Sequence, residues 1–231
     1  PPVPPAAPAP PPAAPHPPPP PPAATASAAE VRIQFAAGAT SGVVEGNLQP
    51  GQTQDFVLTA AAGQPLIVMT GSYNNDVTFS VSGKKDGKVL LPASQKSTSW
   101  QTLLTVSQDY LIHVIAGATT ENFTLNVITP ARIQFATGAD SIVEKGSTPG
   151  GFVVSYILRA GLNQRMTISL EAADDDASLS VYGFQDGQPY LRSATGSKTF
   201  NMLLPATQDY IVQVVPNAGQ VTDYTLNITV K

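Results

Sequence analysis

Gln108-Asp109-Tyr110-Leu111-Ile112-His113-Val114-Ile115-Ala116 sets apolar and β-branched residues in alternation, and one hundred residues later it returns as Gln208-Asp209-Tyr210-Ile211-Val212-Gln213-Val214-Val215. Alternation with period two is the pattern of a strand with one face buried. Its return at a fixed interval says that the strand belongs to a duplicated unit. The register holds on both sides. Arg32-Ile33-Gln34-Phe35-Ala36 recurs as Arg132-Ile133-Gln134-Phe135-Ala136, and Gly38-Ala39 as Gly138-Ala139. Phe56-Val57-Leu58 matches Tyr156-Ile157-Leu158, Gln64 matches Gln164, Asp86-Gly87 matches Asp186-Gly187, and Leu103-Leu104 matches Leu203-Leu204. One residue is then inserted, so that Phe123-Thr124-Leu125-Asn126 aligns with Tyr224-Thr225-Leu226-Asn227.

Working outward from that strand, the first copy predicts strands near 31–36, 42–47, 53–60, 65–70, 77–82, 88–91, 100–105, 109–116 and 122–129. Gly-Gln, Asn-Asn-Asp, Asp-Gly and Pro-Ala segments separate them, which is turn chemistry. So many short strands without a helical period predict an all-β fold: two tandem antiparallel β-sandwiches, of jelly-roll or Ig-like type. The domains are placed at 30–129 and 130–231, behind a Pro/Ala-rich arm over 1–29. Thr129-Pro130-Ala131 is the whole connection between the copies. A proline there fixes φ and stiffens the joint.

Composition narrows the function. Charged residues are 12% of the chain, hydrophobic residues 42%, and the net charge is -4. The surface must therefore be built from Ser, Thr, Asn, Gln and Gly. No basic footprint for nucleic acid exists, and no apolar run is long enough to span a membrane. The chain has no cysteine, which removes disulfides and thiol chemistry and, for a secreted protein, fits a bacterial source. A chain opening on Pro1 rather than Met is expected to be a processed form.

The arm carries 15 prolines in its first 22 residues, including Pro1, Pro2, Pro4, Pro5 and Pro17, Pro18, Pro19, Pro20, Pro21, Pro22. Such a segment favours polyproline II, at about 3.1 Å per residue, so that 22 residues reach roughly 70 Å. It serves either as a spacer or as an assembly arm that docks on aromatic grooves of a neighbour. Trp100, Phe200, Tyr73, Tyr156 and Tyr190 are the candidate aromatics for the arm or for stacking on sugar.

Each repeat resembles the bacterial pre-peptidase C-terminal type of β-sandwich. The resemblance rests on Gln54-Asp55-Phe56-Val57-Leu58-Thr59-Ala60, Gly63-Gln64-Pro65-Leu66-Ile67-Val68, Val77-Thr78-Phe79-Ser80-Val81, Asp86-Gly87, Asp109-Tyr110-Leu111-Ile112-His113-Val114 and Phe123-Thr124-Leu125-Asn126-Val127. It implies a secreted, non-catalytic module with no active site. That family usually accompanies a peptidase, and none is encoded here. A proline arm followed by β domains also resembles subunits of prokaryotic extracellular filaments, where an N-terminal extension packs on the next subunit.

Chemistry-bearing residues are few. The chain has two histidines, His16 in the arm and His113, so no Ser-His-Asp or Cys-His arrangement can be assembled around a second base. Asp174-Asp175-Asp176 forms a turn, with Asn74-Asn75-Asp76 as its counterpart. Clustered Asp and Asn oxygens suit calcium and equally suit a plain turn. Asn122-Phe123-Thr124 and Asn227-Ile228-Thr229 have the tripeptide of glycan acceptors. The expectation is a non-enzymatic subunit of an extracellular filament or cell-surface assembly, polymerising head to tail. The alternatives are a secreted carbohydrate-binding or adhesive module, and an accessory domain pair of a larger secreted protein.

Overall fold

The computed structural model describes residues 29–172, 176–217 and 219–231. The first repeat contains β1 (Val31–Arg32), β2 (Ser41–Leu48), β3 (Thr53–Ala60), β4 (Pro65–Ser72), β5 (Thr78–Gly83), β6 (Val89–Leu91), β7 (Ser99–Leu103), β8 (Gln108–Ile115) and β9 (Glu121–Ile128). The second contains β10 (Ala131–Arg132), β11 (Ser141–Ser147), β12 (Val154–Ala160), β13 (Arg165–Ala172), β14 (Ala177–Gly183), β15 (Pro189–Leu191), β16 (Thr199–Leu203), β17 (Gln208–Pro216) and β18 (Asp223–Val230). The order β1-β3-β8-β5-β6 makes one sheet and β2-β9-β4-β7 the other. The second repeat copies both as β10-β12-β17-β14-β15 and β11-β18-β13-β16. The fold is all-β, two stacked pairs of sheets.

One pairing in each repeat departs from the antiparallel expectation. β1 runs parallel to β3, and β10 parallel to β12. The intervening β2 and β11 lie in the opposite sheet, so the chain crosses over and back, and a crossover returns a strand in the same direction. The first strand is also shorter than the 31–36 read from sequence. After Ile33 N–H bonds the Val57 carbonyl (2.9 Å), the chain turns at Ala36–Ala39 to reach the other sheet.

Period two does the packing. Tyr110, Ile112 and Val114 on β8 are buried, while Leu111, His113 and Ile115 point outward. Phe79, Leu66, Leu104 and Leu125 close the first core; Leu179, Met166, Leu204 and Leu226 stand in their places in the second. Each core ties its tyrosine to a loop: Tyr110 O–H donates to the Val106 carbonyl (2.6 Å) and Tyr210 O–H to that of Ala206 (2.8 Å). A buried hydroxyl needs such a partner.

The two sandwiches meet through a third apolar cluster. Ile67 and Ile128 on the outer face of the β2-β9-β4-β7 sheet pack on Ile157, Phe184 and Ile211 of the β10-β12-β17-β14-β15 sheet, with Met69 and Tyr182 at the edges. Hydrogen bonds rim the contact. Ser41 Oγ donates to the Val153 carbonyl (3.0 Å), Ser155 N–H to Thr40 Oγ1 (2.7 Å), and Gln101 Nε2 to the Phe184 carbonyl. Pro130, between β9 and β10, is buried in the joint.

Candidate functional site

The joint uses one face of each sandwich; among the described residues, the equivalent face of the other meets no second sandwich. On the equivalent sheet of the second repeat, Thr167 and Thr229 stand where Ile67 and Ile128 are, and Asn201 where Gln101 is. On the equivalent sheet of the first, Lys84 replaces Phe184, Val57 replaces Ile157 and Leu111 replaces Ile211. Lys84 Nζ is paired there with Glu30 (2.6 Å), and Gln54 Nε2 donates to the Ala29 carbonyl (3.0 Å). The segment entering from the arm therefore lies at the side of the first repeat that corresponds to the joint side of the second. A head-to-tail polymer made by repeating the internal joint would set a Thr/Asn face against a lysine. The first repeat's face keeps apolar Val57 and Leu111 but has Lys84 in place of Phe184, and the second repeat's face has Thr167 and Thr229 in place of Ile67 and Ile128.

Arg32 and Arg132 occupy equivalent places. Arg32 grips Asp109 (2.7 Å), and Thr59 Oγ1 donates to the same carboxylate; these bonds, the Arg32 one first, hold the Asp109 pKa down at about 2. Arg132 bonds Asp209 (3.1 Å). Both pairs clamp the short parallel strand to its sheet, so they are structural.

The sequence candidates scatter. Tyr73 is 95% exposed at the β4–β5 turn. Trp100 is half-buried against the first core, and Phe200, 6% exposed, belongs to the second. As β-strand residues facing inward, these two close sandwiches rather than line a groove. Tyr156 also faces the core and exchanges a hydrogen bond with Tyr224 (Oη···Oη 2.7 Å). Tyr190 donates to Asp186 (2.7 Å) and leans on the Tyr210 ring; burial, then that bond, lifts its pKa to about 12. The five aromatics thus share no groove.

His113 Nδ1 meets Asp55 Oδ1 (2.5 Å) on an outward face, with no nucleophile of the described residues bonded to the ring. Asp174 and Asp175 lie outside the described residues, as does the arm over 1–28. Asp176 is described, and its carbonyl accepts the Asn217 N–H (2.6 Å). The corresponding turn in the first repeat is knit by side chains. Asn74 N–H and Nδ2 donate to Glu121, and the Thr119 hydroxyl lies 3.1 Å from both Asp76 and Glu121. Among the described residues no group of three or more His, Cys, Asp or Glu side chains is placed to hold a metal ion. Asn122 is exposed, with its Oδ1 accepting from Asn47 Nδ2 (2.8 Å); Asn227 is half-buried on β18. No described helix is long and apolar enough to cross a membrane.

The site that sequence reading missed lies at the joint. A cleft of about 310 Å³ opens between Gly38 and Thr40 of the first repeat and Lys145, Ser147, Tyr156 and Tyr224 of the second. Its residues come from segments more than a hundred positions apart, and no motif links them.

No protein-family profile matches the chain, and no curated protein matches it in sequence. Among solved structures it is similar to PliG of Aeromonas hydrophila, a periplasmic lysozyme inhibitor of g-type lysozyme, at 25% identity and a TM-score of 0.39, covering 43% of this chain and 95% of that one. The Salmonella Typhimurium PliG is similar at 20% identity and a TM-score of 0.35, covering 44% and 97%. A PliG mutant from Escherichia coli follows at 16% and 0.34, covering 43% and 96%. At these scores the likeness assigns neither a function nor a partner to this chain.

Proposed function

We propose that this is a non-enzymatic, extracytoplasmic structural and binding protein: a stiff two-domain rod that joins a cell-surface or filamentous assembly through its proline-rich arm. The observation that carries this reading is the joint. An apolar cluster, flanking hydrogen bonds and a buried proline fix two sandwiches in one orientation, which suits bearing and presenting rather than turnover. The low-charge, hydroxyl- and amide-rich surface and the resemblance of each repeat to pre-peptidase C-terminal sandwiches support a place outside the cytoplasm.

The residue changes on the two outer faces narrow how the rod would assemble. Repetition of the internal joint would set Thr167 and Thr229 against a face whose central phenylalanine is replaced by Lys84, so contact with neighbouring subunits or with a surface runs through the arm, a segment whose polyproline preference leaves little entropy to lose on docking. Light scattering and negative-stain microscopy of the full chain beside a variant lacking residues 1–28 test this. Assemblies formed by the full chain alone are expected. Dispersed two-lobed particles from both would reduce the arm to a spacer and leave the alternative, an adhesive or accessory module.

A further inference from the structure

The duplication supplies an internal control for the interdomain cleft. In the first repeat the aromatic pair at this position is Phe56 and Phe123, packed edge to face with ring centroids 6.2 Å apart. In the second it is Tyr156 and Tyr224. Dry packing at this point of the fold therefore needs no hydroxyl, and hydroxyls occur in the copy whose pair borders the cleft.

Proton counting shows what those hydroxyls leave over. Two phenols carry two protons, and their mutual bond uses one. Neither oxygen makes a hydrogen bond to any other described residue. Thr40 Oγ1 accepts the Ser155 N–H (2.7 Å), so its own proton is also uncommitted. Ser147 and Lys145 also line the wall, and Lys145 borders in addition the neighbouring surface hollow that holds Glu171 and Asp223. It is the one charged side chain lining the cleft. Glu144 is the neighbouring charge that acts on the tyrosines. Burial first, then the mutual bond in the case of Tyr224, and the Glu144 charge push that phenol's pKa up; burial, with Glu144, raises that of Tyr156. Both phenols thus remain protonated donors.

We infer that the cleft between the two sandwiches is a binding site for a carboxylate, held by the spare tyrosine proton, the Thr40 and Ser147 hydroxyls and the Lys145 ammonium. Hydroxyl and ammonium groups line this one cleft, and hydrogen bonds to a charged acceptor are the stronger kind. The volume is at the lower end of the range of small-molecule sites, and domain interfaces are a usual place for them. Two sources supply such a group: the free C-terminus of a polypeptide, and an acidic sugar. Because both repeats contribute to the wall, occupancy also braces the joint. The inference does not depend on the arm.

The test is a titration of the full chain followed by amide-resolved NMR, with four probes: N-acetyl-trialanine with a free C-terminus, its C-terminal amide, glucuronate and glucose. The expected result is saturable shifts centred on residues 38–40 and 145–147 for at least one carboxylate, and none there for its neutral analogue. Whichever acid binds identifies the source. The double variant Tyr156→Phe with Tyr224→Phe recreates the pair that the first repeat already packs, so it is expected to fold. It should weaken binding about ten- to a hundredfold, as loss of a hydrogen bond to a charged acceptor does, and Lys145→Ala should weaken it as well. Neutral and acidic probes shifting the same residues alike, no saturable shift with either acid, or undiminished binding by the folded double variant would overturn the assignment.

Discussion

Replacing Phe184 with alanine separates the rigidity of the joint from the stability of the domains. Phe184 is 6% exposed and is the one aromatic at the centre of the interdomain cluster, against Ile67 and Ile128. Truncating a buried phenylalanine costs about 3–5 kcal/mol, transfer and cavity together. Here the cost has a ceiling. Once it exceeds the free energy holding the domains together, they part, and water fills the gap instead of a cavity persisting. The Gln101 bond goes to the Phe184 backbone carbonyl, so the change leaves its acceptor in place and tests the apolar contact alone. The wild type is expected to melt in one calorimetric transition, because the joint couples its two cores. Phe184→Ala should split it, with the second repeat melting lower since Ile157 and Ile211 become wet. Small-angle scattering should show a larger maximum dimension and a broader distribution of interdomain distances. An unchanged single transition with unchanged scattering would refute the claim that this cluster sets the orientation.

Three further outcomes follow from the same structure. Tyr110→Phe and Tyr210→Phe each remove one buried hydroxyl from its loop carbonyl and should cost about 1 kcal/mol in chemical denaturation; lying in separate cores, the two should add. Asp109 titrates at about 2 in the folded chain, below the roughly 3.9 of an unfolded aspartate. Its stabilising contribution is therefore complete above about pH 4 and is lost as pH falls through about 2; carboxyl-detected NMR should show that midpoint, and Arg32→Ala should return it toward the ordinary range. Gly183→Ala would put a Cβ 2.0 Å from Asp186 Oδ1 and 2.6 Å from Gln208 Nε2. That displaces the carboxamide that receives the turn's N–H groups at Gln185 and Asp186, and a loss of about 1–3 kcal/mol is expected in the melting of the second repeat.

The sequence by itself determined the duplication, the all-β character and, along an alternating strand such as Gln108–Ala116, which side chains face inward. Those are local: the alternation holds whatever the strand's neighbours are, and the copy at Gln208 repeats the statement. Turn glycines such as Gly87 and Gly187, both at positive φ, were legible for the same reason. The parallel β1–β3 pairing was not, because it depends on β2 joining the other sheet. Burial of Phe200 against exposure of Tyr73 was likewise undecidable, since an aromatic on a strand and one at a turn read alike until the sheets are stacked. Only the tertiary structure decided that Ile67, Ile128, Ile157, Phe184 and Ile211 form one surface between domains while Thr167 and Lys84, at matching positions, stay outside it. It alone brought Thr40 to Tyr156 and Tyr224. Contacts between residues so far apart depend on how two finished faces fit, and period two along one strand carries no information about the face it will meet.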